Sequence, residues 1–359
     1  LLQKGVLRES ADAYSMDSLQ NHLHQGDCLR FINERIETLR NSFRVIYIDP
    51  PFFSGTRYSV KSRYGGSAAA AETVSEVPTF SDKWQGLDEY IEFMHPRLEA
   101  MHELLAKNGS LWVHLDWHVS HYVKTLLDEI FDYNNFINEI VWKRTNSPKV
   151  QSRGLGAQHD VILLYAKDSQ TFSLNPIYRK HDEKSRRPYS YEDERGKFRL
   201  IEIEAQGIQR TKNRKQFDWH GRIAPYLYRR ETLDKWWEDG LIYRSKNGRY
   251  TKKQYLSDTA GVPVSDLWLD LPPVQGSSLE YTGFLTQKPE ALLRRIIQAA
   301  SDEGDLIGDF FAGSGTTAIA SLQLNRRWLL CEEVASTLEI IKKRLQEVDG
   351  SVKFSFSSF

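Results

Sequence analysis

Residues 306–318 read Leu306-Ile307-Gly308-Asp309-Phe310-Phe311-Ala312-Gly313-Ser314-Gly315-Thr316-Thr317-Ala318. An apolar run gives way to a glycine loop and then to residues that suit a helix. That order lets a backbone close on a ligand: glycine permits close approach, and the first N–H groups of a helix have no partner of their own. Gly313-x-Gly315-x-x-Ala318 fits the nucleotide-binding fingerprint. Glu332 follows the next apolar run, where a carboxylate can accept both hydroxyls of a ribose. The pattern predicts a strand over 306–311, a helix over 316–324, a strand over 327–331 and a terminal helix over 335–348.

A dinucleotide fold needs several βα units after its first glycine loop. Only 46 residues follow Gly313, so the missing strands must come from elsewhere. S-adenosylmethionine needs less: a cradle for its methionine end, a ribose carboxylate and an adenine pocket. The first third of the chain supplies strand-like runs at 44–48, 110–115, 139–142 and 160–166, with helical spacing at 87–105 and 120–131. This alternation predicts an α/β fold, a mostly parallel sheet with helices on both faces, contributed by both ends of the chain. Tyr58 to Thr79 is low in apolar residues and reads as a mobile surface loop. Asp168 to Gly283 is polar, aromatic and basic without sustained periodicity, and reads as an inserted α+β region. Helical spacing returns at Pro289 to Ala300.

The 359 residues carry 48 Lys and Arg against 48 Asp and Glu. The balance hides an asymmetry: Lys143 to Tyr255 holds 26 basic and 14 acidic residues, a local surplus that suits a polyanion. A 40% hydrophobic content excludes a disordered chain, and two cysteines exclude a disulfide scaffold or a four-cysteine zinc site. No apolar run is long enough to span a bilayer, and no signal-peptide pattern opens the chain, so a reducing intracellular setting is expected. Because the first residue is Leu1, the true N-terminus is expected to lie further upstream. His114, His118 and His121 lack the spacing of a ligand set, and no metal is expected.

Asp49-Pro50-Pro51-Phe52 follows the apolar run 44–48, which places it at the carboxyl edge of the sheet, where α/β sites form. The two prolines stiffen the turn and remove two donors, leaving carbonyls that can only accept. A carboxylate beside such a carbonyl is what an exocyclic amino group would meet, and Phe52 offers a flat face for a base. A rigid turn with a capping Asp would explain the same tetrapeptide.

Together these segments resemble the amino-methyltransferases that act on adenine N6 or cytosine N4 in DNA. Asp49-Pro50-Pro51-Phe52 is similar to their catalytic motif, and Phe311-Ala312-Gly313-Ser314-Gly315-Thr316 to their cofactor motif. The order, catalytic motif before basic region before cofactor motif, resembles the β class. Gln25-Gly26-Asp27-Cys28 resembles the segment whose Asp lies near the cofactor adenine, and Thr286-Gln287-Lys288-Pro289 the motif that holds the methionine carboxylate. Val113 to His118 and His121 to Lys124 resemble core segments. Two positions depart: Asp309-Phe310-Phe311 stands where the family has Asp-Pro-Phe, and Glu332 stands where it has Asp.

The resemblance implies a Rossmann-like, S-adenosylmethionine-dependent methyltransferase sheet with permuted motif order. Its catalytic part would span 16–167, its target-recognition region 168–283 and its cofactor-binding part 284–348. Asp49, Pro50, Pro51 and Phe52 would be catalytic. Asp27, Cys28, Thr286, Lys288, Asp309, Phe311, Gly313, Ser314, Gly315, Thr316, Thr317 and Glu332 would bind cofactor, and Arg210, Lys212, Arg214 and Lys215 would meet DNA. The expected activity is site-specific methylation of adenine N6 in double-stranded DNA, with the base flipped from the duplex. Cytosine-N4 methylation and a non-catalytic DNA-binding subunit are the alternatives. A nicotinamide enzyme would leave Asp49 to Phe52 unexplained. The resemblance also allows a homodimer, a separate restriction endonuclease, and a prokaryotic cytoplasmic, nucleoid-associated setting.

Overall fold

The computed structural model describes residues 21–53, 57–64, 73–82, 84–145, 154–205 and 216–359. Its chain forms two compact units, Leu1–Ile177 with Ser265–Phe359, and Tyr178–Val264.

The first unit begins with β1 (His22–Gln25), α1 (Cys28–Leu39), β2 (Phe43–Ile48), β3 (Arg57–Tyr64) and β4 (Thr73–Ser81). It continues through α2 (Leu87–Leu104), β5 (Leu105–Leu115), α3 (Ser120–Phe131), β6 (Phe136–Lys143) and β7 (His159–Ala166). The second unit carries β8 (Tyr178–Arg179), α4 (Glu183–Arg186), β9 (Tyr191–Asp193), β10 (Gly196–Glu202), β11 (Phe217–Trp219), β12 (Arg222–Ala224), α5 (Arg230–Glu238), β13 (Ile242–Arg244), β14 (Tyr250–Tyr255) and β15 (Val262–Pro263). The chain then returns to the first unit with β16 (Leu267–Trp268), α6 (Glu290–Ala300), β17 (Leu306–Asp309), α7 (Thr316–Gln323), β18 (Arg327–Glu332), α8 (Ala335–Val348) and β19 (Ser355–Ser358).

Nine strands form one sheet in the order β16-β6-β7-β5-β2-β17-β18-β1-β19. The two motif-bearing strands are neighbours: Ile307 of β17 lies opposite Val45 of β2, and Asp309 opposite Leu330 of β18. Gly308 makes that junction possible, because a Cβ there would lie 2.8 Å from the Phe43 ring. The sheet is mixed. β7 runs antiparallel to both β5 and β6, whereas the remaining pairs are parallel. Antiparallel pairing needs no helical crossover, and no helix separates β6 from β7 among the described residues.

The helix stripes bury as their spacing predicts. Leu98, Met101 and Leu104 of α2 and Val123 and Leu127 of α3 share one cluster with Ile46, Ile48 and Leu111 of the sheet. Ile319 of α7 and Leu338, Ile341 and Leu345 of α8 form another with Leu23 and Leu330. Among the described residues no helix is long and apolar enough to cross a membrane.

Three expectations need correction. Arg57–Tyr64 and Thr73–Ser81 are not part of an irregular loop: they pair antiparallel, with Lys61 opposite Glu76. Tyr58, Val60, Val74, Val77 and Thr79 have high strand propensity, which outweighs the low apolar count. Leu267–Trp268, within the stretch read as the insertion, pairs with β6 in the large sheet. In the second unit, Trp236-Trp237 and Tyr226-Leu227-Tyr228 read as core from their aromatic content; Tyr226 is buried, whereas Trp237 and Tyr228 remain 42% and 39% exposed. Trp237 instead stacks on His220, at 3.9 Å between centroids. That unit's core is Ile203, Trp219, Ala224, Tyr226, Leu233 and Tyr250, under a four-stranded antiparallel sheet in the order β13-β14-β10-β9. Arg210, Lys212, Arg214 and Lys215 lie outside the described residues.

Candidate active site

A cavity of about 830 Å³ opens at the carboxyl ends of β2, β17, β18 and β1. Parallel strands bring these ends to one edge, and each contributes the residues that follow it.

After β2 the chain turns through Asp49-Pro50-Pro51-Phe52. The N–H groups of Phe52 and Phe53 donate to the Asp82 carboxylate at 3.2 and 2.7 Å, and Trp84 Nε1 donates to it at 3.3 Å. Phe53 has φ of 60°, a left-handed conformation that a non-glycine residue rarely adopts. Asp82 holds the turn in that shape. The Phe52 ring lies nearly parallel to His114, 6.1 Å between centroids at 22°. His114 is fixed by the Tyr47 hydroxyl at 3.0 Å and by Asp160 at 3.3 Å. Burial alone would raise the Asp160 pKa, but the His114 hydrogen bond and charge, with Arg144 and Lys288, hold it below the usual value. Asp49 forms an ion pair with Lys288 through Oδ2, while Oδ1 is buried with no hydrogen-bond partner among the described residues.

The opposite wall is built on the glycine loop. Glu332 accepts the Gly313 N–H at 2.8 Å and the Val334 N–H at 2.9 Å, tying the loop to the end of β18. Burial pushes its carboxyl up to about 7, against those hydrogen bonds. Gly26 donates its N–H to the Glu332 carbonyl at 3.0 Å. Asp27 caps α1 through Arg30 N at 2.9 Å and is ion-paired with Arg97, whose guanidinium lies 3.6 Å over the Phe93 ring. Cys28 is a free, buried thiol raised to about 12 by burial.

Of the residues singled out in the sequence, Asp27, Cys28, Asp49, Pro50, Pro51, Phe52, Thr286, Lys288, Phe311, Gly313 and Glu332 line the cavity. Asp309, Ser314, Gly315, Thr316 and Thr317 do not; they build the loop from behind. Asp309 is buried, accepts from Thr317 Oγ1 and Phe311 N, and is raised to about 7 by burial. Ser314 and Thr316 are held by Arg344. Gly315 has φ of +76°, and a Cβ there would lie 2.9 Å from Ile341 Cγ1. Sequence reasoning missed Asp82, Trp84, Phe93, Arg97, Arg144 and Asp160 as cavity walls. Phe93 and Arg97 carried one local signal, their i, i+4 spacing on α2. The remaining four come from segments distant in sequence.

The polar inventory suits a ligand charged at one end. Lys288 is a cation beside Thr286, while Arg97 Nε, Asp49 Oδ1 and Thr337 Oγ1 are buried wall atoms with no hydrogen-bond partner among the described residues. Cys28, Phe311 and Cys331 give the same cavity apolar surface. Among the described residues no cluster of three or more His, Cys, Asp or Glu side chains could hold a metal.

A glycine loop and an acidic strand tip share one cavity with Asp-Pro-Pro-Phe at the edge of an α/β sheet. The chain belongs to the N6/N4 DNA methylase family, whose model matches residues 43–343. It is 30% identical over 305 residues to the type II methyltransferase M.EcaI of Enterobacter cloacae, covering 84% of this chain and 64% of that protein. It is 27% identical over 350 residues to the Mod subunit of the type III restriction-modification enzyme StyLTI of Salmonella typhimurium, covering 89% and 53%. The chain therefore spans about half to two thirds of the length of these two relatives. Among solved structures, M1.HpyAVI in complex with SAM is 17% identical, covers 90% of this chain and 98% of that one, and aligns with a TM-score of 0.46.

Proposed function

We propose that this chain methylates the N6 amino group of adenine in double-stranded DNA, with S-adenosylmethionine as methyl donor. The observation that carries the reading is Asp49 Oδ1, which has no hydrogen-bond partner among the described residues, beside Pro50 and Phe52 in the cavity that Gly313 and Glu332 also line. Family membership supports the reaction class. In the family that the tetrapeptide resembles, Asp rather than Ser at its first position leans towards adenine over cytosine.

When bound, the donor supplies an electrophilic methyl group on a sulfonium. Glu332 would accept from the ribose hydroxyls, Asp27 and Cys28 would hold the adenine, and Thr286 and Lys288 would hold the methionine carboxylate. Phe52, backed by His114, stacks the flipped base. Asp49 and the Pro50 carbonyl accept the two amino protons, which favours a pyramidal, more nucleophilic nitrogen. The Asp49 carboxylate then stabilises the positive charge that develops on that nitrogen. The sheet, with its permuted motif order, is the methyltransferase domain. The basic stretch within 168–283 is the target-recognition region, and Arg210, Lys212, Arg214 and Lys215 in it contact phosphate.

The test is transfer from labelled S-adenosylmethionine to mixed-sequence duplex DNA, with the modified nucleoside identified by mass. N6-methyladenine made by the wild type and lost in Asp49→Ala is expected. N4-methylcytosine would overturn the base assignment. Absence of transfer from a protein that binds S-adenosylhomocysteine would overturn the reading of the chain as a self-sufficient DNA methylase.

A further inference from the structure

The ion pair between Lys288 and Asp49 joins two subsites that the proposed reaction uses separately. Their side chains are 11% and 18% exposed, so solvent screens the pair only partly. The Lys288 ammonium also lies 5.4 Å from the centroid of the Phe52 ring and 3.5 Å from the Thr286 carbonyl oxygen. A nitrogen donor held by the Asp49 carboxylate over an aromatic ring occupies the place that the amino group of a target base would take.

Building on the function proposed above, we infer that Lys288 is a placeholder in the acceptor subsite, which it leaves for the carboxylate of the methyl donor. One ammonium then has two competing anionic partners. Leaving Asp49 with no replacement would strand a poorly solvated cation and a poorly solvated carboxylate, which is strongly unfavourable. Leaving it for a second carboxylate exchanges one anion for another. Asp49 thus becomes a two-oxygen acceptor when the donor is in place, and a base cannot settle productively against it beforehand. Lys288 is a positioning residue for Asp49 as well as a contact for the donor.

The exchange has an unusual consequence for binding. Donor affinity in the wild type is reduced by the need to break the Lys288–Asp49 pair, and a variant without the pair escapes that reduction. Asp49→Asn, which abolishes the proposed acceptor, should bind S-adenosylhomocysteine roughly three- to tenfold more tightly than wild type. Binding of 5′-methylthioadenosine, which has the nucleoside and sulfur but no carboxylate, should stay unchanged and serves as a control for folding. Lys288→Gln should weaken S-adenosylhomocysteine, and Asp49→Asn added to it should give no further gain. Titration calorimetry on the four proteins completes the cycle.

Unchanged or weaker S-adenosylhomocysteine binding by Asp49→Asn, with the methylthioadenosine control intact, overturns the placeholder role alone. A gain that survives in Lys288→Gln also overturns it, because the effect then comes from lost charge at Asp49 and not from a freed lysine. Failure of the wild type to bind either ligand overturns the donor assignment, and this inference with it.

Discussion

Arg344 of the terminal helix α8 donates to the Ser314 carbonyl at 2.8 Å, and so braces the glycine loop from behind. The same guanidinium reaches Thr316 Oγ1 and Glu290 Oε1, both at 3.0 Å. It is only 6% exposed. Three segments, the loop, the start of α6 and α8, are thereby fixed by one planar group. The hydroxyls of a motif that reads as ligand-binding in sequence are committed here to internal structure.

Arg344→Met should destabilise the protein by about 2–3 kcal/mol, because Glu290 and the loop carbonyl lose a buried partner. The figure is below the full cost of a broken buried pair, since Glu290 keeps some solvent contact. Arg344→Lys should recover only part, for one ammonium cannot reproduce the fork. Urea unfolding measures the loss, and an unshifted midpoint for Arg344→Met would show that the brace contributes nothing.

Asp309 makes stability depend on pH. Burial raises its folded-state pKa from 3.8 to about 7. The native state therefore holds a proton that the unfolded chain has released between those values. Asp309's contribution to stability is complete below about pH 4 and is lost as pH rises through 7. Asp309→Asn should fit, with its carbonyl accepting Phe311 N–H and its amide donating to Thr317 Oγ1. It should match wild type near pH 4 and exceed it by about 4 kcal/mol at pH 8. Unfolding free energies across that range decide the point; a gain independent of pH would place its cause elsewhere.

What the sequence discloses depends on how local the cause is. Ser120–Phe131 and Ala335–Val348 form the helices their apolar spacing predicts, because a stripe is read within a few turns. Asp49 and Gly313 reach one cavity because both follow apolar strands of one sheet. Other features have no local signal. The pairing of Lys288 with Asp49, and of Arg344 with Ser314, depends on which strands become neighbours. The tail Ser355–Ser358 is too short and polar to predict a strand, yet it pairs with β1, where Ser355 and Ser357 bond His22 and His24 at 2.7 Å. Asp82 follows a stretch that reads as loop, and its role exists only because two strands fold there.

Tyr47 sets the orientation of His114, and through it the surface behind Phe52. Asp160 can only accept, so His114 Nε2 carries a proton toward it, and the Tyr47 hydroxyl bonds Nδ1. Tyr47→Phe leaves that nitrogen buried and unpaired, a cost of about 1–3 kcal/mol. Methyl transfer should fall about tenfold as the Phe52 platform loosens, with the affinity for S-adenosylhomocysteine unchanged. Equal turnover by the variant would separate the ring network from the reaction.

Asp82 should matter to the reaction through the acceptor turn. Its two oxygens receive consecutive N–H groups, from Phe52 and Phe53, and the second belongs to a residue at φ of 60°. Without the carboxylate the chain relaxes toward a less strained turn, carrying Asp49 and Phe52 with it. Displacement of about 1 Å at a reacting group costs on the order of a hundredfold in rate. Asp82→Ala should therefore lose about that much methyl transfer. Asp82→Asn, which keeps one accepting oxygen, should lose less. Donor affinity should not fall in either, because Gly313 and Glu332 do not depend on this turn. The comparison of turnover with S-adenosylhomocysteine affinity separates the two effects. If Asp82→Ala loses ligand binding and turnover together, the carboxylate supports the whole cavity and not the acceptor turn.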